Sequence, residues 1–393
     1  MILPPATLGL LGGGQLGRYF VIAAHDLGYR VVVLDPDPES PAGRIADTHL
    51  ASAYDDPAAL RYLAESCAAV TTEFENVPAA ALQYLSMSVP VRPDANSVAI
   101  CQNRSGEKGF LKRHGFPHAP YADILDDTDA QDADTGLFPG ILKVARFGYD
   151  GKGQIHVNSR AEALAAFRHF SSEPCVLEKK LSLEHEISVV LARNEAGETK
   201  SFPAAANRHL HGVLDTSSVP PANACLIENA EMMAVEIACR MNYVGVLAVE
   251  YFVVSGQLYV NEMAPRPHNS GHYTLDACLT DQFEQQVRVL CGLPLGDTRL
   301  HSAATMVNLL GDLWFPDNSG VAREPDWQKL LAVPKLKLHL YGKRHAKPGR
   351  KMGHFTVVGE HSGDVERLAL AARRAIGIEN PGNDDKSPVA AGD

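Results

Sequence analysis

The sequence predicts a mixed fold, an α/β unit at the N-terminus followed by α+β segments, and three observations carry that prediction. An apolar run enters a Gly-rich turn and a helical pattern, then a second apolar run that ends in Asp35. From residue 141 the texture changes to short strand-like runs separated by turns. Hydrophobic residues make up 45% of the 393 positions against 21% charged, enough to bury an ordinary core and too apolar for wholesale disorder. The length suggests two or three domains.

Residues 7–11 form the first strand and lead into Gly12-Gly13-Gly14-Gln15-Leu16-Gly17. A helical pattern runs through Leu27, is stopped by Gly28, and gives way to a buried strand at 30–35. Such a strand–Gly loop–helix–strand unit starts a doubly wound parallel sheet. Helices near 57–67 and 78–86 flank a strand at 69–72, and this first domain ends near residue 103. A helix at 104–115 precedes Pro117 and Pro120, and the acidic run 126–135 reads as a solvated loop or helix cap. Strands follow at 141–145, 155–157, 176–178 and 186–192, with a helix at 160–170 between the second and third. After a helix at 228–241, strands at 246–253 and 258–262 flank Ser255-Gly256-Gln257 as a hairpin. A helix near 281–291 ends at Gly292-Leu293-Pro294, and short strands surround the basic segment 341–351. Residues 380–393, rich in Pro, Gly and Asp, read as a disordered tail.

With 36 Lys and Arg against 47 Asp and Glu, the net charge of −11 argues against a nucleic-acid or anionic-membrane binder. A local basic patch can still hold a small phosphate. The seven cysteines are scattered without a CxxC pair, which fits reduced thiols in a cytosol. The N-terminus lacks the basic region of a signal peptide, and 244–254 is too short to span a bilayer. The expectation is a soluble, cytoplasmic protein.

Three motifs carry chemistry. Gly12-x-Gly14-x-x-Gly17, with Asp35 closing the next strand, matches a dinucleotide fingerprint, and equally a tight βα turn with no nucleotide. Phe147-Gly148-Tyr149-Asp150-Gly151-Lys152-Gly153-Gln154 lies between two strands and offers backbone N–H groups to phosphate oxygens, with Lys143 on the preceding strand as a point charge. A three-residue hairpin loop would pair Val254 with Leu258 and set Glu250 opposite Glu262 on one face of the sheet. Opposed carboxylates inside an apolar run call for a bridging hard cation such as Mg2+. Directly beyond lies Pro265-Arg266-Pro267-His268-Asn269-Ser270-Gly271-His272, where a rigidly held guanidinium suits a small oxyanion and His268 could carry a proton. Lys343, Arg350 and Lys351 add a basic cluster, either a solvated turn or a phosphate anchor.

On these motifs, together with Thr72-Glu73-Phe74-Glu75-Asn76-Val77 and Gly349-Arg350-Lys351-Met352-Gly353-His354, the chain resembles the ATP-grasp enzymes. It resembles most closely the branch of 5-(carboxyamino)imidazole ribonucleotide synthases. The resemblance implies an ATP-grasp fold with a Rossmann-like N-terminal domain (1–103), an ATP-grasp domain (104–295, with a flexible part about 140–210) and a small C-terminal domain (296–379). It implies ATP and Mg2+ as cofactors, and 5-aminoimidazole ribonucleotide and bicarbonate as substrates joined through carboxyphosphate. A homodimer without nucleic-acid or membrane partners is implied as well. By position, Arg104, Lys143 and the glycine loop 148–154 would contact nucleotide phosphates. Glu178, Lys179, Lys180 and Leu181 would hold the adenine edge, Glu186 the ribose, and His209 and Asn261 further parts of the nucleotide site. Glu250 and Glu262 would bind Mg2+, and Arg266 and His268 fall on catalytic positions. Gln15, Leu16, Glu73, Asp150, Lys343 and Arg350 would bind the ribonucleotide, so the Gly12 loop would hold no dinucleotide. Two departures stand out: Ala264 where the superfamily often has Asn, and an adenine hinge more basic than usual, which backbone contacts tolerate. Competing readings are a glycinamide ribonucleotide transformylase or biotin carboxylase type of ATP-grasp enzyme, and a nicotinamide-dependent oxidoreductase.

Overall fold

Three sheets organise the chain in the computed structural model, which describes residues 1–146, 148, 153–221, 224–317 and 320–378. The first is the doubly wound unit. Strands β1 (Thr7–Leu11), β2 (Arg30–Leu34), β3 (Thr48–Leu50) and β4 (Ala69–Thr72) run parallel in the order β3-β2-β1-β4. Beyond their first residues β1 and β2 are buried on both faces, as is β4, as near-continuous apolar runs require, while the edge strand β3 is half-buried. Helices Pro57–Ser66 and Ala79–Ser86 cover one face through Leu60, Leu63 and Leu82. Helix Gln15–Asp26 covers the other, together with Phe283, Val287 and Leu290 from the much later helix Gln282–Cys291. The first unit is therefore welded to the middle of the chain by a shared core.

The second sheet is antiparallel and small, with β5 (Tyr121–Ile124), β6 (Gly140–Val144), β7 (Gln154–Val157) and β8 (Cys175–Lys179) in the order β5-β8-β6-β7. Helices Asp127–Asp132 and Arg160–His169 close its core. The acidic run is thus a capped helix: Asp126 accepts from the N–H groups of Thr128 and Asp129, which satisfies two donors of the first turn.

The third sheet has nine strands: β9 (His185–Arg193), β10 (Thr199–Ser201), β11 (Ala205–Leu210), β12 (Val213–Val219), β13 (Gly245–Val254), β14 (Gln257–Ala264), β15 (Ala303–Leu310), β16 (Leu336–Leu340) and β17 (Lys351–Gly359). Its order is β14-β13-β9-β11-β12-β15-β17-β16, with β10 on β9. Strand β12 pairs with β15, so the sheet crosses residue 295 without a break. A final helix, Ser362–Ala375, packs on β15 and β17, and its buried Arg373 reaches back to Asp215 on β12 at 2.7 Å. Helix Arg104–His114 starts at Asn103, whose side chain accepts from Ser105 and Gly106, and stops at Gly115 with φ 74°. It packs against β13 and β14 through Phe110 and Leu111. No helix among the described residues is long and apolar enough to cross a membrane, and all seven cysteines are free.

The β13–β14 hairpin corrects the expected turn. Val254 pairs with Gln257 instead of Leu258, and the loop is the two residues Ser255 and Gly256 at φ 50° and 71°. Positive φ at both central positions is the I′ geometry that matches strand twist. In that register alone Glu250 would meet Asn261. A bulge between Glu250 and Tyr251 leaves Asn261 without a ladder partner and restores the Glu250–Glu262 pair. Ser255→Val should cost about 1–2 kcal/mol, because a β-branched residue resists positive φ. The check is a lower midpoint of thermal unfolding than that of the parent chain.

Candidate active site

Glu250 and Glu262 occupy one rung of the ladder on adjacent strands. Burial pushes the Glu250 carboxyl up to about 7; His209 opposes the rise, and Glu262 and Glu186 add to it. Helix Arg104–His114 grips the second strand at three successive residues. Lys108 Nζ donates to the carbonyl of the bulged Asn261 at 3.1 Å, Arg104 Nη1 lies 3.7 Å from Glu262 Oε2, and the Met263 N–H donates to Glu107 Oε1 at 2.5 Å. Burial raises the Glu107 carboxyl to about 8. Two opposed carboxylates, one of them pushed toward the neutral form, make a donor set that suits a hard divalent cation.

The same helix reaches the small sheet. Glu178 on β8 lies 3.1 Å from Lys143 on β6 and 3.6 Å from Lys108, all three buried. Burial raises the Glu178 carboxyl, but Lys143, Lys108 and Arg104 outweigh it and hold the group at about 2. Burial in turn pulls the Lys143 ammonium down. Beyond Glu178, the N–H groups of Lys179 and Lys180 are already bound to the carbonyls of Pro120 and Pro139 at 2.8 and 2.9 Å, and Leu181 is half-buried. His209 on β11 is ion-paired with Glu186 on β9; burial lowers it, but Glu186 and Glu250 bring it to about 8. In the glycine loop the Gly148 carbonyl accepts from Arg104 Nη2 at 3.4 Å, Gly153 sits at φ 72°, and Gln154 opens β7. Tyr149, Asp150, Gly151 and Lys152 lie outside the described residues, as does the tail from residue 379.

Arg266 and His268 sit just past β14. Arg266 Nε donates to Glu75 Oε2 at 2.5 Å, which fixes the guanidinium and, against burial, lowers the Glu75 carboxyl. His268 Nδ1 lies 2.9 Å from Ser270 Oγ and 3.7 Å from Glu250 Oε1. Gln282 pins the loop by accepting from the His268 N–H and donating to its carbonyl, both at 2.8 Å. Burial, with Arg266 and Lys351 nearby, holds the His268 imidazolium well below its ordinary range.

A second cleft opens under the Gly12 loop. Gln15, Glu73, Lys343 and Arg350 line it, with Gly13, Asp37 and Ser40. Lys343 Nζ donates to the Lys351 carbonyl at 2.7 Å, and Arg44 binds the Gly342 carbonyl at 3.1 Å, so the C-terminal segment is laced to the first unit. Leu16 does not line the cleft; its side chain belongs to the core. Three of the loop's glycine N–H groups are occupied by carboxylates. Gly14 and Gly17 donate to the two Glu73 oxygens at 2.5 and 2.6 Å, and Gly13 donates to Asp35 at 2.7 Å. A Cβ on Gly14 would strike Glu73 Oε1, and Gly12 stands at φ 103° against the Glu73 stem. A carboxylate therefore fills the helix N-terminus where a dinucleotide would set its pyrophosphate. That removes the nicotinamide reading.

Fold and site together define an ATP-grasp enzyme, and the ATP-grasp domain family matches residues 109–283. The ribonucleotide synthetase preATP-grasp domain matches residues 5–102, and the phosphoribosylaminoimidazole carboxylase C-terminal domain matches 304–368. The chain is 42% identical over 359 residues to the N5-carboxyaminoimidazole ribonucleotide synthase of Bacillus subtilis, covering 91% of this chain and 92% of that one. The crystal structure of the Thermus thermophilus synthetase is similar at a TM-score of 0.86 and 36% identity, covering 95% of this chain and 99% of that one. The Aspergillus clavatus synthase in complex with ADP and 5-aminoimidazole ribonucleotide is similar at 0.85 and 28%, covering 94% and 98%. The chain belongs to the N5-carboxyaminoimidazole ribonucleotide synthase family, which sets aside the transformylase and biotin carboxylase alternatives.

Sequence reasoning missed Glu75, Glu107, Lys108, Ser270 and Gln282. Lys108 had a signal, since it stands one helical turn after Arg104 on the same face. The Glu178 cluster yields a pH dependence. Its carboxyl sits at about 2 against an ordinary 4.5, so its contribution to stability is complete above about pH 4.5 and fades as pH falls toward 2. Glu178→Gln should lower the thermal midpoint at pH 7 and flatten the acid limb of the midpoint–pH curve over that window. An unchanged acid limb would show that the cluster does not act as described.

Proposed function

We propose that this chain uses ATP to carboxylate the amine of 5-aminoimidazole ribonucleotide with bicarbonate, releasing ADP and phosphate. One observation supports this above others: Glu73 and Glu75 stand two residues apart and serve two different clefts. Glu73 lines the cleft with Gln15, Lys343 and Arg350; Glu75 lines the one with Arg104, Gly148 and Glu262 and holds Arg266. Nucleotide and ribonucleotide would thus meet across a single short segment, as a transfer between them requires.

In this reading the nucleotide lies between the small sheet and β13–β14. Lys143 and Arg104 bind its phosphates, and the hinge carbonyls and Leu181 hold adenine, since the Lys179 and Lys180 N–H groups are engaged. Glu186 and His209 flank the ribose. Mg2+ held by Glu250 and Glu262 would neutralise phosphate charge. Bicarbonate attacks the γ-phosphorus to give carboxyphosphate, whose negative charge Arg266 stabilises. Lys343 and Arg350 hold the ribonucleotide phosphate, which presents the amine to the carboxyl carbon. The reading places the reaction in purine synthesis, in the cytoplasm, where seven free thiols are at home. The homodimer implied by the resemblance would show directly in sedimentation.

ADP release measured with ATP, Mg2+, bicarbonate and the ribonucleotide omitted in turn tests the whole; full turnover without ribonucleotide and bicarbonate would defeat it. Lys343→Ala should raise the ribonucleotide KM about 10- to 100-fold with little change in kcat, because a charged hydrogen bond present throughout is lost. Arg266→Ala should lower kcat about 10²–10³-fold, because its charge matters most where carboxyphosphate forms and is consumed. Counting ADP and carboxylated product in one assay distinguishes the two.

A further inference from the structure

The His268 ring is held by a directed hydrogen-bond chain whose polarity fixes where its proton sits. Nδ1 accepts from the backbone N–H of Ser270 at 3.3 Å, and a backbone N–H can only donate. Nδ1 therefore carries a lone pair, and the ring proton is on Nε2. The second partner at Nδ1 is the Ser270 hydroxyl at 2.9 Å, and the groups behind it set its direction. The Ser217 hydroxyl donates to Asn207 Oδ1, Asn207 Nδ2 donates to Ser188 Oγ, and the Ser188 hydroxyl donates to Ser270 Oγ, each at 2.8 Å. An amide NH2 cannot accept, which sets the direction of the Asn207 links, and with Ser188 donating to it and a lone pair already on Nδ1, the Ser270 hydroxyl donates to Nδ1. Ser188, Ser217 and Ser270 are all buried, so water does not compete for these bonds.

We propose that Ser270, backed by Ser188 and Asn207, is a positioning residue that locks His268 as the Nε2–H tautomer, so that His268 serves as a hydrogen-bond donor to the carboxyl group being transferred and not as the base for the amine. The inference rests on the ribonucleotide carboxylation proposed above. In the transfer the amine nitrogen bonds to the carboxyl carbon of carboxyphosphate, the carbon–oxygen bond to phosphate breaks, and the amine's proton goes to the released phosphate.

The test pairs two substitutions with one spectrum. The Gln side-chain amide in His268→Gln reaches the place of Nε2 and keeps a donor there, whereas that of His268→Asn reaches only the place of Nδ1. Under the proposal His268→Gln loses roughly tenfold in kcat with ADP and carboxylated product still in step, and His268→Asn loses about 10²–10³-fold. In protein labelled with ¹⁵N at its 16 histidines, the signals lost in a folded His268 variant should be pyridine-type for Nδ1 and pyrrole-type for Nε2 in the parent. Equal losses in the two variants, rescue of either by added imidazole, or a pyrrole-type Nδ1 would overturn the proposal. A parent enzyme that shows the expected spectrum yet makes no carboxylated product would instead refute the functional reading and leave the tautomer standing.

Discussion

Two carboxylates on one rung of the β13–β14 ladder repel each other, and the site is arranged around that repulsion. Glu250 and Glu262 would destabilise the hairpin that carries them if nothing answered their charge. Arg104 answers part of it directly, His209 another part, and the remaining demand is one that a hard cation, as proposed above, would suit. The rest of the local structure keeps the two groups from relaxing apart. The bulge at Asn261 sets the register, and helix Arg104–His114 holds residues 261 to 263 from one side with a lysine, an arginine and a glutamate. A strained arrangement of charge persists only when several independent contacts determine it.

Much of this was legible from the chain, though not always for the right reason. The glutamate pair followed from an assumed three-residue loop; the loop has two residues, and the bulge supplies the missing one. Turn and bulge compensate, so a wrong turn led to the right pair. The strands read most easily were those buried on both faces, such as β1 and β2, where the apolar run is continuous. The β11–β12 hairpin was missed because Asn207, His209 and Ser217 turn polar side chains toward the site, which erases the alternation that announces a strand. The roles of Ser270, which was read only as part of a dense polar string, and of Gln282 were hidden for another reason. Ser270 meets Ser188 on β9 and Gln282 reaches back to the loop at His268, and no local pattern encodes such meetings.

The N-terminal glycines show how one motif can serve opposite ends. In a dinucleotide site such glycines admit a ligand's phosphates to the helix N-terminus. Here they admit the protein's own Glu73 and Asp35 instead. The local geometry of a strand, a tight turn and a helix is the same in both cases, so the motif predicts the turn reliably and the ligand not at all. What decides is a carboxylate on β4's far end, some sixty residues later in the chain, a contact that the fingerprint itself does not contain.

The unbroken passage of the large sheet from β12 into β15 has a consequence for how the chain can be cut. A fragment ending before Ala303 would carry the whole hairpin and its glutamates, yet would expose the backbone of β12 where Thr216 now meets Val307. An open strand edge of that kind is a template for a neighbouring chain. It would also strip Asp215 of the arginine that reaches it from the last helix. In this chain the sheet is closed only when β15 is present. Newly made chains must keep that edge from one another until the C-terminal strands arrive to cover it.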